Sequence, residues 1–141
     1  MDISVEQYNA SLQELTVSNN RRQKALENGK IIDSKYNDLM VEARSENKYL
    51  FVFFYLDGCS GCTVLKYLIQ NNPQIIQSLQ RYKVLMVNMT ETITSMSNKL
   101  NIYSYPSYFI LDPPDGNVVK KDAGCDVNNG AENNFLNWLN N

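Results

Sequence analysis

The eight residues from Tyr49 to Leu56 are apolar or aromatic without interruption, and polar residues close the run on both sides. A run of that length with no alternation predicts a strand buried on both faces, as at the centre of a parallel sheet. Val84 to Met89 predicts a second buried strand. Tyr105 to Leu111 predicts a third, which opens at Pro106, the end of a strand where proline is tolerated. Asp112-Pro113-Pro114-Asp115-Gly116-Asn117 supplies the residue types that turns require. Val118 to Ala123 then reads as an edge strand, its Lys120 and Lys121 suited to solvent.

Helical spacing fills the intervals. Val64, Leu65, Tyr67, Leu68 and Ile69 predict a strongly apolar helix over 63–70. Pro73 fits the first turn of another helix, with Ile75, Ile76, Leu79 and Tyr82 on its apolar face. A weaker helix is predicted over 92–100. Residues 129–139 predict a closing helix with Phe135, Trp138 and Leu139 turned inward. At the other end, Val5, Tyr8, Leu12 and Leu15 share one helical face within the segment from Ile3 to about Gly29; the stripe is lost over Ser18-Asn19-Asn20-Arg21-Arg22, where the helix is expected to fray or turn, and Asn28-Gly29 reads as a C-terminal stop. That stripe needs a cover: folding back on its own domain is the reading preferred here, docking or dimerisation the alternative. A second helix over 34–45 takes Asp33 or Ser34 as N-cap and buries Tyr36, Leu39, Met40 and Ala43. The division expected is a helical extension over 1–32 ahead of an α/β domain over 33–141.

Composition removes whole classes of chemistry. The 141 residues carry 13 Lys and Arg against 15 Asp and Glu, so no basic field exists to hold a phosphate backbone. There is no His. That excludes Ser–His and Cys–His nucleophile pairs, imidazole acid–base work and every His-containing metal site. Three cysteines fall short of a four-thiolate zinc cage, and a metal bridged between two chains by Cys59 and Cys62 would need further ligands. They are also too few for a disulfide-stapled secreted domain. The opening residues are polar and acidic, with no apolar run, so the chain is expected to be cytoplasmic. A removed leader would make it periplasmic or secreted.

Two of the three cysteines stand in Asp57-Gly58-Cys59-Ser60-Gly61-Cys62, at the junction of the buried strand and the apolar helix. A ring that short constrains little of the unfolded chain. At the helix N-terminus, unpaired backbone N–H groups and the macrodipole favour a thiolate, which is the attacking form of sulfur. Cys59 is therefore expected to attack a substrate disulfide, and Cys62, one turn further in, to resolve the mixed disulfide.

With this pair and the Tyr105-Pro106-Ser107 step, the sequence from about Asp33 to the C-terminus resembles the thioredoxin superfamily. The closest likeness is to members with a helical lead-in and an Asp-Pro-x-x-Gly turn, here Asp112 to Gly116. The resemblance implies a central mixed sheet flanked by helices, a cis peptide at Pro106, and a substrate strand paired to the Tyr105 backbone. It also implies a groove bordered by Gly58, Ser60, Gly61, Tyr105, Pro106 and Gly124. Among the tyrosines, Tyr105 is the best candidate for substrate contact, the others for packing. Cys125, next to Gly124, is a candidate accessory thiol; simple packing is the plainer reading.

The chain departs from the family in ways that bear on activity. Gly58 replaces the usual Trp, Ser60-Gly61 the usual Gly-Pro, Phe53 the buried acid and Met86 its Lys partner. A proton from Cys62 must then leave through water, Thr63, Ser60 or Asp57. With no His between the cysteines, and Asp57 opposing a thiolate, the potential is expected to be reducing or intermediate. The function expected is thiol–disulfide exchange with protein substrates, by a monomer drawing on a separate electron donor. No bound cofactor is required, because the cysteines carry both electrons. The alternative is a non-catalytic binding or chaperone-type module with a structural Cys59–Cys62 disulfide.

Overall fold

A computed structural model describes residues 4–141, so the helix start expected at Ile3 lies outside the described residues. The chain begins with α1 (Val5–Ser45), a single helix of 41 residues. Its start is fixed by a reciprocal cap: the Gln7 N–H donates to Ser4 Oγ and the Ser4 N–H to Gln7 Oε1, each at 3.1 Å. Neither the fraying or turn expected over Ser18-Asn19-Asn20-Arg21-Arg22 nor the stop expected at Asn28-Gly29 occurs. Gly29 costs a helix only about 1 kcal/mol relative to Ala, and tertiary contact decides its presence. The 91–94 segment lies directly on this stretch, with the Ile93 N–H bonded to the Ala25 carbonyl at 3.1 Å and Asn28 Nδ2 donating to the Glu91 carbonyl at 2.9 Å. Gly29 is a seat for backbone rather than a terminus.

One unbroken helix also changes where the apolar stripe goes. At 1.5 Å per residue α1 is about 60 Å long, whereas a seven-residue strand spans about 23 Å. The first turns must overhang the sheet. Val5, Tyr8, Leu12 and Leu15 are accordingly exposed and do not fold back on the domain. The helix is also continuous across positions 32 and 33.

The sheet follows: β1 (Tyr49–Tyr55), β2 (Tyr82–Asn88), β3 (Ser107–Asp112) and β4 (Asn117–Ala123), in the order β2-β1-β3-β4. β1 runs parallel to β2 and antiparallel to β3, and β3 pairs antiparallel with β4, so the sheet is mixed. Between β1 and β2 lie α2 (Ser60–Asn71) and α3 (Pro73–Leu79), with Pro73 in the first turn of α3 and the Asn72 side chain capping it. A single turn, α4 (Ser95–Asn98), precedes β3, and α5 (Ala131–Asn140) closes the chain.

The unalternating β1 sequence is explained by two cores. Leu50, Val52 and Phe54 pack with Met40, Leu85, Val87, Met96 and Phe109 on the α1 and α4 side. Phe51 and Phe53 pack with Leu65, Ile75, Phe135 and Leu139 on the α2, α3 and α5 side. The helix expected over 92–100 shrinks to four residues, and Asp33 explains how so short a turn is held. Its carboxylate accepts from the Ser95 N–H at 3.0 Å and the Met96 N–H at 3.3 Å, so Asp33 caps α4 and not the middle of α1.

Candidate active site

β1 ends at Tyr55, and Leu56, Asp57 and Gly58 carry the chain to the start of α2. This connection is clamped to the end of β2. Asn88 Nδ2 donates to Asp57 Oδ1 at 2.9 Å, the Asp57 N–H to Thr90 Oγ1 at 2.7 Å, and the Met89 N–H to the Tyr55 carbonyl at 2.8 Å. Gly58 turns the loop at φ +75°, a conformation that suits glycine. Asn88 and Thr90 are contributors that sequence reasoning did not assign to the site. The available signal was two polar residues at the end of a strand parallel to β1, on the edge where the cysteines emerge.

Cys59 is the N-cap of α2. Its Sγ accepts the Cys62 backbone N–H at 3.2 Å and lies 3.8 Å from the Tyr105 carbonyl. A donor of this kind at a helix N-terminus is what a sulfur anion requires. Cys59 is half-buried and Cys62 buried, so the first sulfur is the more accessible of the two. Both are free thiols, as is Cys125. Burial pushes the Cys62 thiol up to about 11, helped by the hydrogen bond and charge of Cys59 and opposed by backbone hydrogen bonds from Leu56 and from its own amide. At neutral pH Cys62 is therefore held as the thiol. In the reduced protein its alkylation should keep accelerating up to about pH 11, and mass-resolved iodoacetamide labelling checks this. A Cys62 labelling rate that levels off below pH 9 contradicts it.

Several of the residues expected to border a groove come together beside this pair. The Tyr105–Pro106 peptide is cis. The Gly124 N–H donates to the Pro106 carbonyl at 2.8 Å, and Gly124, at φ +86°, turns the chain back over the loop. A β-carbon placed on Gly61 would stand 3.3 Å from the Cys125 β-carbon and 3.4 Å from Pro106 Cδ. The loop, the Pro106 turn and the residue after Gly124 thus touch one another at Gly61, a position with no space for a branched side chain. Ser60 is exposed.

Behind the pair, no carboxylate or amine occupies the place of the family's buried acid and Lys. Phe53 is fully buried, pairs in register with Met86, and stacks on Tyr55 at 5.4 Å between ring centroids. Lys66 lies over the other ring of this stack, 4.8 Å from the Tyr55 centroid. Of the proton routes considered, the Thr63 hydroxyl is engaged with the Cys59 carbonyl at 3.0 Å, and one Asp57 oxygen is taken by Asn88. A cavity of about 350 Å3, lined by Cys62, Asp57, Thr63 and Lys66 among others, leaves room for water as the acceptor. Among the described residues, no three His, Cys, Asp or Glu side chains gather to hold a metal ion. No described helix is long and apolar enough to cross a membrane.

Known proteins share this fold. A family model described as thioredoxin-like matches residues 31–113. A thioredoxin from Thermus thermophilus superposes with a TM-score of 0.61 at 19% identity, over 74% of this chain and 81% of its own. The C-terminal domain of Neisseria meningitidis DsbD in its reduced form superposes at 0.60 with 18% identity, over 76% and 93%. Poplar thioredoxin h superposes at 0.57 with 19% identity, over 77% and 90%. No curated protein sequence matches the chain.

Proposed function

Because the chain belongs to the thioredoxin-like family, we propose that it exchanges thiols and disulfides with protein substrates, with Cys59 as the nucleophile and Cys62 as the resolving thiol. The observation that carries this reading is the asymmetry of the pair: Cys59 is half-buried at the cap of α2 and receives the Cys62 N–H, whereas Cys62 is buried behind it. In the reducing direction the Cys59 thiolate attacks one sulfur of a substrate disulfide and displaces the other as a thiolate. Cys62 then attacks Cys59 Sγ, which releases the second substrate sulfur and closes the Cys59–Cys62 disulfide. Two electrons pass from the pair to the substrate. A separate donor returns them.

Tyr105, Pro106 and Gly124, with Gly58, Ser60 and Gly61, form the groove in which an extended substrate lies. Among the described residues only backbone donates to Cys59, so the pair is expected to be reducing or intermediate in potential. Such a pair suits the cytoplasm and a monomer that meets its substrates by diffusion; a periplasmic or secreted location is the alternative. Cys125, packed against Gly61, is the accessory thiol candidate, and an unmodified Cys125 beside an oxidised pair would assign it to packing.

Insulin-disulfide reduction, with dithiothreitol as donor, tests the reading. The wild-type protein should accelerate precipitation of the insulin B chain, and Cys59→Ser should not. The second reading, a binding module with a structural disulfide, is favoured by the loss of the acid and Lys at Phe53 and Met86. Equal rates for the two proteins would select it.

A further inference from the structure

The β3–β4 pairing sets Tyr108 opposite Asp122, and the two residues share the wall of a cavity of about 320 Å3 on the α2 and α5 side of the sheet. Leu65 and Phe135 extend its apolar lining, and Cys125 and Asp126 complete the wall nearest the active-site loop, where Cys125 meets Gly61. The Tyr108 side chain is only 6% exposed, its ring held edge-on by Trp138 and Phe135 at 4.7 and 5.3 Å. Its hydroxyl has no hydrogen-bond partner among the described residues. No fully buried side-chain oxygen there lacks a partner, so this hydroxyl keeps its contact with solvent through the cavity it lines.

The polar content of the wall has one sign. Asp122 and Asp126 contribute carboxylates, and no Lys or Arg lines the space. Asp122 Oδ1 accepts from the Ala123 N–H at 2.8 Å, and Asp126 Oδ1 from the Asn128 and Asn129 N–H groups at 3.1 and 3.2 Å, which leaves the second oxygen of each carboxylate free for a ligand. Lys120, two residues before Asp122 on β4, is drawn away: its Nζ donates to the Trp138 carbonyl and lies over the Trp138 ring. Burial first, and then the charges of Asp122 and Cys125, raise the Tyr108 phenol. Burial, then Asp126 and Cys59, raise the Cys125 thiol.

We infer that this cavity is a subsite for a Lys or Arg side chain of the substrate, next to the cysteine that bonds to Cys59. The aliphatic stem of such a residue lies along Leu65 and Phe135, its cationic head meets Asp122 and Asp126, and the Tyr108 hydroxyl accepts one of its N–H groups. The volume stands at the lower end of the about 300–1,000 Å3 typical of ligand pockets, which suits one side chain rather than a whole cofactor. The inference rests on the exchange reading for the position of the substrate cysteine. It adds the class of sequence the groove selects.

The test uses the full chain carrying Cys62→Ser and Cys125→Ser, so that Cys59 forms a stable mixed disulfide and no turnover is required. Equal amounts of two symmetrical peptide disulfides compete, one with Arg on both sides of its cysteine and one with citrulline there. The Cys59 thiolate attacks either disulfide and releases one peptide thiolate, and intact mass counts the two adducts. The Arg adduct should predominate about fivefold at low salt, less at high salt, because both carboxylates are solvent-accessible. Asp122→Asn with Asp126→Asn keeps the hydrogen-bond acceptors and should bring the ratio close to one; Tyr108→Phe should lower it in part. An Arg preference that is absent, or that is the same in the Asn variant, overturns the subsite even if insulin is reduced. If neither peptide forms an adduct at Cys59, the exchange reading and the subsite fall together.

Discussion

Cys62→Ser is expected to convert a transient mixed disulfide into one that persists for minutes to hours, the timescale of uncatalysed disulfide rearrangement. The geometry gives the reason. Cys59 is the sulfur within reach of a substrate, and the only protein sulfur in its own helical turn is Cys62, whose N–H already points at Cys59 Sγ from 3.2 Å. Serine keeps that backbone donor, so attack by Cys59 survives and only the second displacement is lost. Insulin turnover should fall to the background rate while a covalent adduct at Cys59 accumulates. Cys59→Ser should also abolish turnover, but without any adduct. Non-reducing electrophoresis with mass mapping checks both variants. An adduct on Cys62 in the Cys59→Ser protein, at a rate matching that of Cys59, would reverse the roles. In the wild-type protein the resolving step should accelerate with pH, because burial raises the Cys62 thiol above its ordinary value. A buried carboxylate would ordinarily help that proton leave, and here Phe53 occupies the position.

Gly29→Ala is expected to lower stability by about 1–3 kcal/mol, the range for overpacking a filled site. Helix propensity alone argues for the opposite sign, since Ala is favoured over Gly by about 1 kcal/mol in a helix interior. Position decides between them. A β-carbon on Gly29 would stand 1.6 Å from the Ile93 carbonyl oxygen and 2.6 Å from its carbon, so backbone has to move. That movement strains the Ile93–Ala25 and Asn28–Glu91 bonds by which the loop before α4 is tied to α1. Ser18→Ala, on the exposed part of the same helix, should be neutral or slightly stabilising. Thermal and urea unfolding of the two variants checks the contrast. A Gly29→Ala protein more stable than wild type would mean that the loop does not rest on α1.

The two effects bear on how much could be read from the residues alone. The central strands were legible because β1 is buried on both faces and its composition shows it, and the cysteine pair because its place between such a strand and an apolar helix is specific. Pro73, at a helix start, followed from the chemistry of proline. The Asn28-Gly29 stop failed because a local signal was outweighed by a contact 64 residues away, between Gly29 and Ile93. Asp33 shows the same limit: it has the chemistry of an N-cap, but the helix it caps lies 62 residues further along. The stripe from Val5 to Leu15 was correctly helical, yet its cover could not be inferred without knowing that α1 is unbroken and therefore overhangs the sheet. The cavity beside Cys125 depends on the register that pairs Tyr108 with Asp122 and on the turn at Gly124, neither of which leaves a periodic trace.

The claim that Cys59 and Cys62 form a working redox pair is tested most directly by equilibrating the protein across glutathione and dithiothreitol buffers and mapping the thiols by mass at each potential. The account predicts one reversible two-electron transition confined to Cys59 and Cys62, with a midpoint nearer the about −270 mV of reducing thioredoxins than the about −120 mV of strongly oxidising relatives. A Cys59–Cys62 bond that never forms, or one that remains closed at every potential like a structural staple, would contradict it.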